Sequence, residues 1–146
     1  MANPNIVATG WIQGRTDVLK VSYFVTWADA VVNSTALALS RITSNPSGSG
    51  CVYKVNLLQA SNVNGAAPYD VSAGLYRGGT VYSIATVVAV PADGSLVIIG
   101  KENPIYLLEG DSIVMIGEPV AGQTGEDAVS LHAICSYELI SQSEPA

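Results

Sequence analysis

A chain of 146 residues, 49 % of them hydrophobic and only 12 % charged, has the length and apolar content for one domain whose core needs no metal or disulfide staples. Its net charge of −6 includes six basic residues, Arg15, Lys20, Arg41, Lys54, Arg77 and Lys101, scattered singly; no cluster can neutralise several phosphates at once, and an anionic membrane is repelled, so neither nucleic acid nor membrane is an expected partner. The charged share is about half that of an ordinary domain, which leads us to expect that other subunits cover part of the surface.

No run is long enough to cross a membrane as a helix. The opening "MANPNIVATG" has neither the basic n-region nor the apolar h-region of a signal peptide, so folding in a cytoplasm is expected. Short runs of Val, Ile, Thr and Tyr recur between turn signals. They predict an all-β chain: a β-sandwich, jelly-roll-like, of about nine strands with no significant helix.

Residues 1–12 form an N-terminal arm or a first strand, Ile6–Ile12. Asn3, Pro4 and Asn5 start an isolated fold poorly, so the arm is also a candidate for adding a strand to a neighbour. Residues 13–140 are the sandwich, and 141–146, "SQSEPA", a flexible polar tail. Val18–Trp27 reads as the second strand. Thr35–Ile42 reads as the third, with Leu37 and Leu39 pointing one way and Ala38 and Ser40 the other. "TSNPSGSG", residues 43–50, is the most loop-like segment. In Cys51–Ala60, alternation puts Cys51, Tyr53, Val55 and Leu57 on one face and Lys54 and Asn56 on the other. Tyr69–Tyr76 turns Val71, Ala73 and Leu75 inward. "RGG" links it as a hairpin to Thr80–Val90, and "PADGS" reverses into Leu96–Ile99. Ile105–Leu108 and Ser112–Gly117 follow, joined by Glu109-Gly110-Asp111. Ala128–Ile140 closes the set, with Val129, Leu131, Ala133, Cys135 and Tyr137 on one side. "VVAV" and "LVII" lack alternation, as segments covered on both faces do.

Little in the chain suits catalysis. His132 is the single histidine; it falls between Leu131 and Ala133, far from any nucleophile motif, and reads as a hydrogen-bonded residue on the sheet's outer face. Cys51, Cys135 and one His do not make a zinc set. The thiols read as buried and free. Glu109, Asp111, Glu126 and Asp127 would suit calcium only if their loops converged; each pair also fits plain turn chemistry. In that reading "EGD" is a corner, Gly110 permits the turn, and Glu109 and Asp111 stay in water. Trp11, Trp27 and the tyrosines could stack a sugar, but core packing is their expected role. No enzymatic activity, cofactor or metal is expected.

The run from "VYKVNLLQASN" through "DVSAGLYRGGTVYSIA" and "VPADGSLVII" to "PIYLLEGDSI" resembles a recurrent small structural protein of tailed bacteriophages, notably cyanophages. The resemblance covers residues 51–118, and the final "SYELI" more loosely. It implies a β-sandwich virion protein without enzymatic activity, either a capsid decoration (cement) subunit or part of the tail or its fibres. The partners it implies are the major capsid protein or a tail protein, with a homo-oligomer, a trimer foremost, on the capsid lattice. The alternative is a tail-fibre module binding a host-surface glycan. The expected interaction surface comprises Ile6, Val7, Trp11, Ile12 and Trp27.

Overall fold

A computed structural model describes residues 10–21, 27, 34–64, 67–119 and 131–141. Among them lie nine strands and one short helix: β1 (Trp11–Lys20), α1 (Ser34–Ser40), β2 (Arg41–Ser44), β3 (Val52–Asn62), β4 (Tyr69–Arg77), β5 (Thr80–Val90), β6 (Ser95–Ile99), β7 (Ile105–Leu107), β8 (Ser112–Pro119) and β9 (Leu131–Ser141). Two antiparallel sheets result. The first runs β1-β9-β3-β6, with β7 also pairing β3, and the second runs β2-β8-β4-β5.

The topology is that of a jelly roll. Ser95–Ile99 pairs with the Leu58–Ser61 stretch of β3, and Ile105–Leu107 continues the same ladder along Tyr53–Val55. Thus β6 and β7 are one strand interrupted by "GKENP". Counted as one, they leave eight strands. The first sheet holds the first, eighth, third and sixth, the second sheet the second, seventh, fourth and fifth, which is two Greek keys folded face to face.

The core lies between the sheets, where the alternating residues of each strand meet. From β9 come Leu131, Ala133, Cys135, Tyr137 and Leu139, from β3 Tyr53, Val55, Leu58 and Ala60, and from β4 and β8 Val71, Ala73, Ile113 and Met115, all buried. Full burial of an aliphatic side chain contributes about 1.5–3 kcal/mol, so this alternation is what drives the two sheets together.

Four sequence expectations give way here. β1 runs unbroken through "QGRTD", where a link between two strands was expected, because every residue from Trp11 to Lys20 finds a partner on β9; a complete ladder outweighs weak local strand propensity. Trp27 is helical, so the strand expected over Val18–Trp27 ends at Lys20. Ser34–Ser40 is helical too, not extended. Its Leu37 and Ser40 are buried while Ala38 and Leu39 are exposed, and Ser40 Oγ donates to the Leu37 carbonyl at 2.8 Å. Ala and Leu lead the helix propensities, and that signal was present in "TALALS". Finally, a bulge between Val55 and Leu57 shifts the register of β3. The extra residue sends Leu57 to the outer face and brings Leu58 inside.

A double bulge marks the edge strand β5. The β4–β5 register shifts on both sides of Ala73, and Val87 adopts φ 49°, with its N–H donating to Ser72 Oγ at 2.9 Å. Such kinks blunt an exposed sheet edge. The same place explains Gly74. A Cβ there would come within 2.5 Å of Val81 Cγ1 and 2.9 Å of the Tyr82 carbonyl oxygen. Gly74→Ala is therefore expected to cost about 1–3 kcal/mol, read as a lower urea midpoint at unchanged slope.

"VVAV" and "LVII" are not covered on both faces within the single chain: Val87 and Val97 are exposed.

Candidate functional site

Glu109-Gly110-Asp111 is a corner, as its composition implied, but its carboxylates are not in water. Glu109 is 8 % and Asp111 2 % exposed. Arg77 Nε donates to both Asp111 oxygens at 2.9 Å and its Nη2 to Oδ2 at 2.5 Å, and the Leu108 N–H adds a further bond at 2.8 Å. Glu109 accepts from the Gly48 N–H at 2.5 Å. Gly110, at φ 90°, makes the turn and donates to the Asn45 carbonyl at 2.6 Å. The expectation of solvated acids failed because both partners are remote in sequence. Bonded in this way, the corner is a clasp joining the "NPSGSG" loop, the β7–β8 turn and the end of β4. Of the calcium candidates, Glu126 and Asp127 lie outside the described residues. Among the described residues no group of three His, Cys, Asp or Glu could hold a metal, and no helix is long and apolar enough to cross a membrane.

A cleft of about 330 Å³ opens beside β1. β1 has ten residues and β2, the facing edge of the second sheet, only four. The two edges are tied where Asp17 Oδ2 accepts from Thr43 Oγ1 at 3.0 Å and from the Tyr137 hydroxyl at 2.9 Å. Beyond that tie the inward side of β1 overhangs. Strand alternation places Trp11, Gln13 and Arg15 on this one side; opposite them stand Ser49 and Cys51 of the loop and Tyr53 of β3, with Leu139 among the lining residues. Tyr53 stacks on Tyr137 with ring centroids 5.2 Å apart. Arg15 Nη2 donates to Gln13 Oε1 at 3.3 Å. Sequence reading missed Gln13 and Arg15 by taking "QGRTD" as a link. The period-two spacing of "WIQGR" was the signal that could have found them.

Of the expected interaction residues, Trp11 and Ile12 do not share a face of β1. Trp11 is half-buried in the cleft, while Ile12 is exposed on the opposite face of β1. Trp27 is half-buried. Ile6 and Val7 lie outside the described residues. His132 is exposed on the outer face of β9, opposite Lys20 and Ser61.

Cys51 and Cys135 are both free and buried. Burial pushes the Cys135 thiol up from 9.0 to about 11. The folded state then keeps a proton that the unfolded chain releases near pH 9. Stability from this source is complete below about pH 8.5, declines above it, and is lost as pH rises through 11. About 2–3 kcal/mol is at stake. Tyr137 is raised as well, first by burial and then by its bond to Asp17, and acts in the same direction at higher pH. Urea midpoints should fall between pH 8 and 10.5, and less steeply in Cys135→Ala.

Fold and site together define a jelly-roll β-sandwich with a clasped corner and an open edge cleft. No family model matches the chain, and no curated protein or solved structure matches it either.

Proposed function

We propose that this protein is a non-enzymatic virion structural protein of the tailed-phage kind, a capsid decoration subunit that buries apolar surface against capsid protein and its own copies. The observation that carries the reading is the outer face of the first sheet. Five of the nine exposed large hydrophobics among the described residues lie on it: Ile12, Val18, Val97, Tyr106 and Ile134. The register arranges them in rows across the strands, Val18 beside Ile134 and then Gln59 beside Val97, with Ile12 beside Ile140 and Val52 further along. Lys20, Lys54 and Glu138 are the charged strand residues on this face.

From strand spacing and rise the face measures roughly 20 by 30 Å, about 600 Å², three quarters of the ~800 Å² that one partner contributes to a standard interface. Apolar rows on a weakly charged sheet face suit contact with protein rather than water. A decoration subunit also needs no catalytic group, and the carboxylates of the corner are spent on the clasp.

The test is a Val18→Lys/Ile134→Lys variant, whose side chains are exposed and whose fold should persist. Sedimentation equilibrium should show the wild type self-associating, with a trimer the expected species, and the variant monomeric. Cryo-electron microscopy of the parent particle should place wild-type density on the shell. A wild type that stays monomeric at 100 µM-scale loading, roughly the range where weak interfaces associate, and is missing from particles would overturn the proposal.

A further inference from the structure

We infer that the cleft beside β1 is a binding site for a single carboxylate-bearing sugar residue, of the uronic or sialic acid class. This goes beyond the structural role above and stands independently of it, since the cleft lies on the inward side of β1 and the apolar rows on the outward side.

Four features carry the inference. The first is size. About 330 Å³ falls at the small end of ligand sites, room for one ring and its substituents and too little for an extended chain. The second is the half-buried Trp11 at the cleft wall. An indole offers a flat apolar surface to the C–H face of a pyranose while leaving its polar N–H at the rim. The third is Arg15. Its one hydrogen-bond partner among the described residues is the neutral amide of Gln13, and the one ion pair among the described residues belongs to Arg77 and Asp111. Its planar guanidinium thus has no ion-pair partner among the described residues, the Asp17 carboxylate two residues along the same side being bonded to Thr43 and Tyr137, and a carboxylate is the group that its fork matches in two bonds. The fourth is the remaining polar lining. Gln13 accepts from Arg15 through its oxygen, which leaves its NH2 to donate; the Ser49 hydroxyl donates to Asn45 Oδ1 at 2.6 Å and accepts from the Cys51 N–H at 3.2 Å, which leaves one lone pair to accept. One donor and one acceptor flanking an aromatic wall suit ring hydroxyls.

The charge pattern narrows the class further. With a net charge of −6, the chain does not draw polyanions from a distance. A lone arginine in a small cleft recognises one negative group at short range. Nucleotides and sulfated polysaccharides, which need several cationic contacts, fit less well.

Trp11 also reports on its own site. The chain has two tryptophans, so a Trp27→Phe background leaves Trp11 as the sole indole fluorophore. In that background methyl glucuronide and N-acetylneuraminic acid are titrated alongside methyl glucoside and acetate. At least one acidic sugar should perturb Trp11 emission at millimolar concentration or below. The glucoside and acetate should each bind at least tenfold more weakly than that sugar. Arg15→Gln, at an exposed position of an edge strand, should bring the acidic sugar down to the glucoside's level, with an unchanged circular dichroism spectrum confirming the fold. If Trp27→Phe fails to fold, the same titrations by saturation-transfer NMR on the wild type carry the test. Equal binding of glucoside and glucuronide, equal binding of acetate, an Arg15→Gln variant that binds as the wild type does, or no binding of any of the four would each overturn the inference.

Discussion

Arg77→Ala is expected to destabilise the protein by about 3 kcal/mol, although Arg77 stands at the exposed end of β4. Surface substitutions ordinarily stay within about 0.5 kcal/mol. The difference lies in the partner. The Asp111 side chain is 2 % exposed, against 44 % for Arg77. Truncating the arginine leaves a buried carboxylate with the Leu108 N–H but no countercharge, and breaking a buried pair by removing one partner costs roughly 3–5 kcal/mol. Water at the exposed guanidinium screens part of the attraction, which puts the loss at the lower end of that range. For a chain of this length the melting temperature should drop by about 6–12 °C. Asp111→Asn should cost less, because the orphaned guanidinium can turn to solvent and the amide oxygen can still accept from Leu108. Arg77→Lys should fall between, keeping the charge but losing the fork. In a double-mutant cycle, Arg77→Ala with Asp111→Asn should be more stable than Arg77→Ala alone, since no buried charge is stranded. An Arg77→Ala variant within about 0.5 kcal/mol of the wild type would mean that the clasp does not form.

Asn45→Ala should cost a similar amount, about 2–4 kcal/mol, through hydrogen bonding alone. Asn45 is 1 % exposed. Its Nδ2 donates to the carbonyls of Cys51 and Leu107, both at 2.9 Å, and its Oδ1 accepts from Ser49. Alanine would strand two carbonyls, and each buried polar group left unsatisfied costs about 1–3 kcal/mol, while the half-buried Ser49 hydroxyl can turn to water in the cleft. Asn45→Asp is the sharper comparison. It has almost the same shape, but it sets a carboxylate oxygen against two carbonyl oxygens where the NH2 group had donated to both. It should therefore be worse than alanine, the reverse of what size alone would give. Urea denaturation of the three proteins checks the order. Because the Asn45 N–H also donates to the Asp111 carbonyl, its loss and that of Arg77 should not be additive.

The β4–β5 hairpin and the final strand were legible because their signals are local. Thr80–Val90 lies where the preceding Gly-Gly turn placed it, and Leu131 to Tyr137 face the core at every second residue. The misread parts have a common cause. "TALALS" alternates as a strand would, yet at six residues it is too short for its period to decide, and propensity prevailed. Leu57 keeps the alternation of its own segment but loses it to a bulge set by β9. "QGRTD" resembles a link until β9 supplies a partner for each residue.

The cleft and the clasp show the same division. The spacing of Trp11, Gln13 and Arg15 follows from the pleat of any strand, so their common side is a property of the sequence. That the side stays open depends on β2 being too short to cover it, a fact about a different sheet. The turn at Gly110 could be read from three residues, whereas the burial of Glu109 and Asp111 could not. Their partners lie 61 and 34 residues away. By itself the sequence determined where strands alternate and where the chain reverses, because backbone sterics and side-chain period act between near neighbours. Only the tertiary structure decided which charges leave water, because desolvating a carboxylate is affordable solely where a remote donor has been carried to it by the fold.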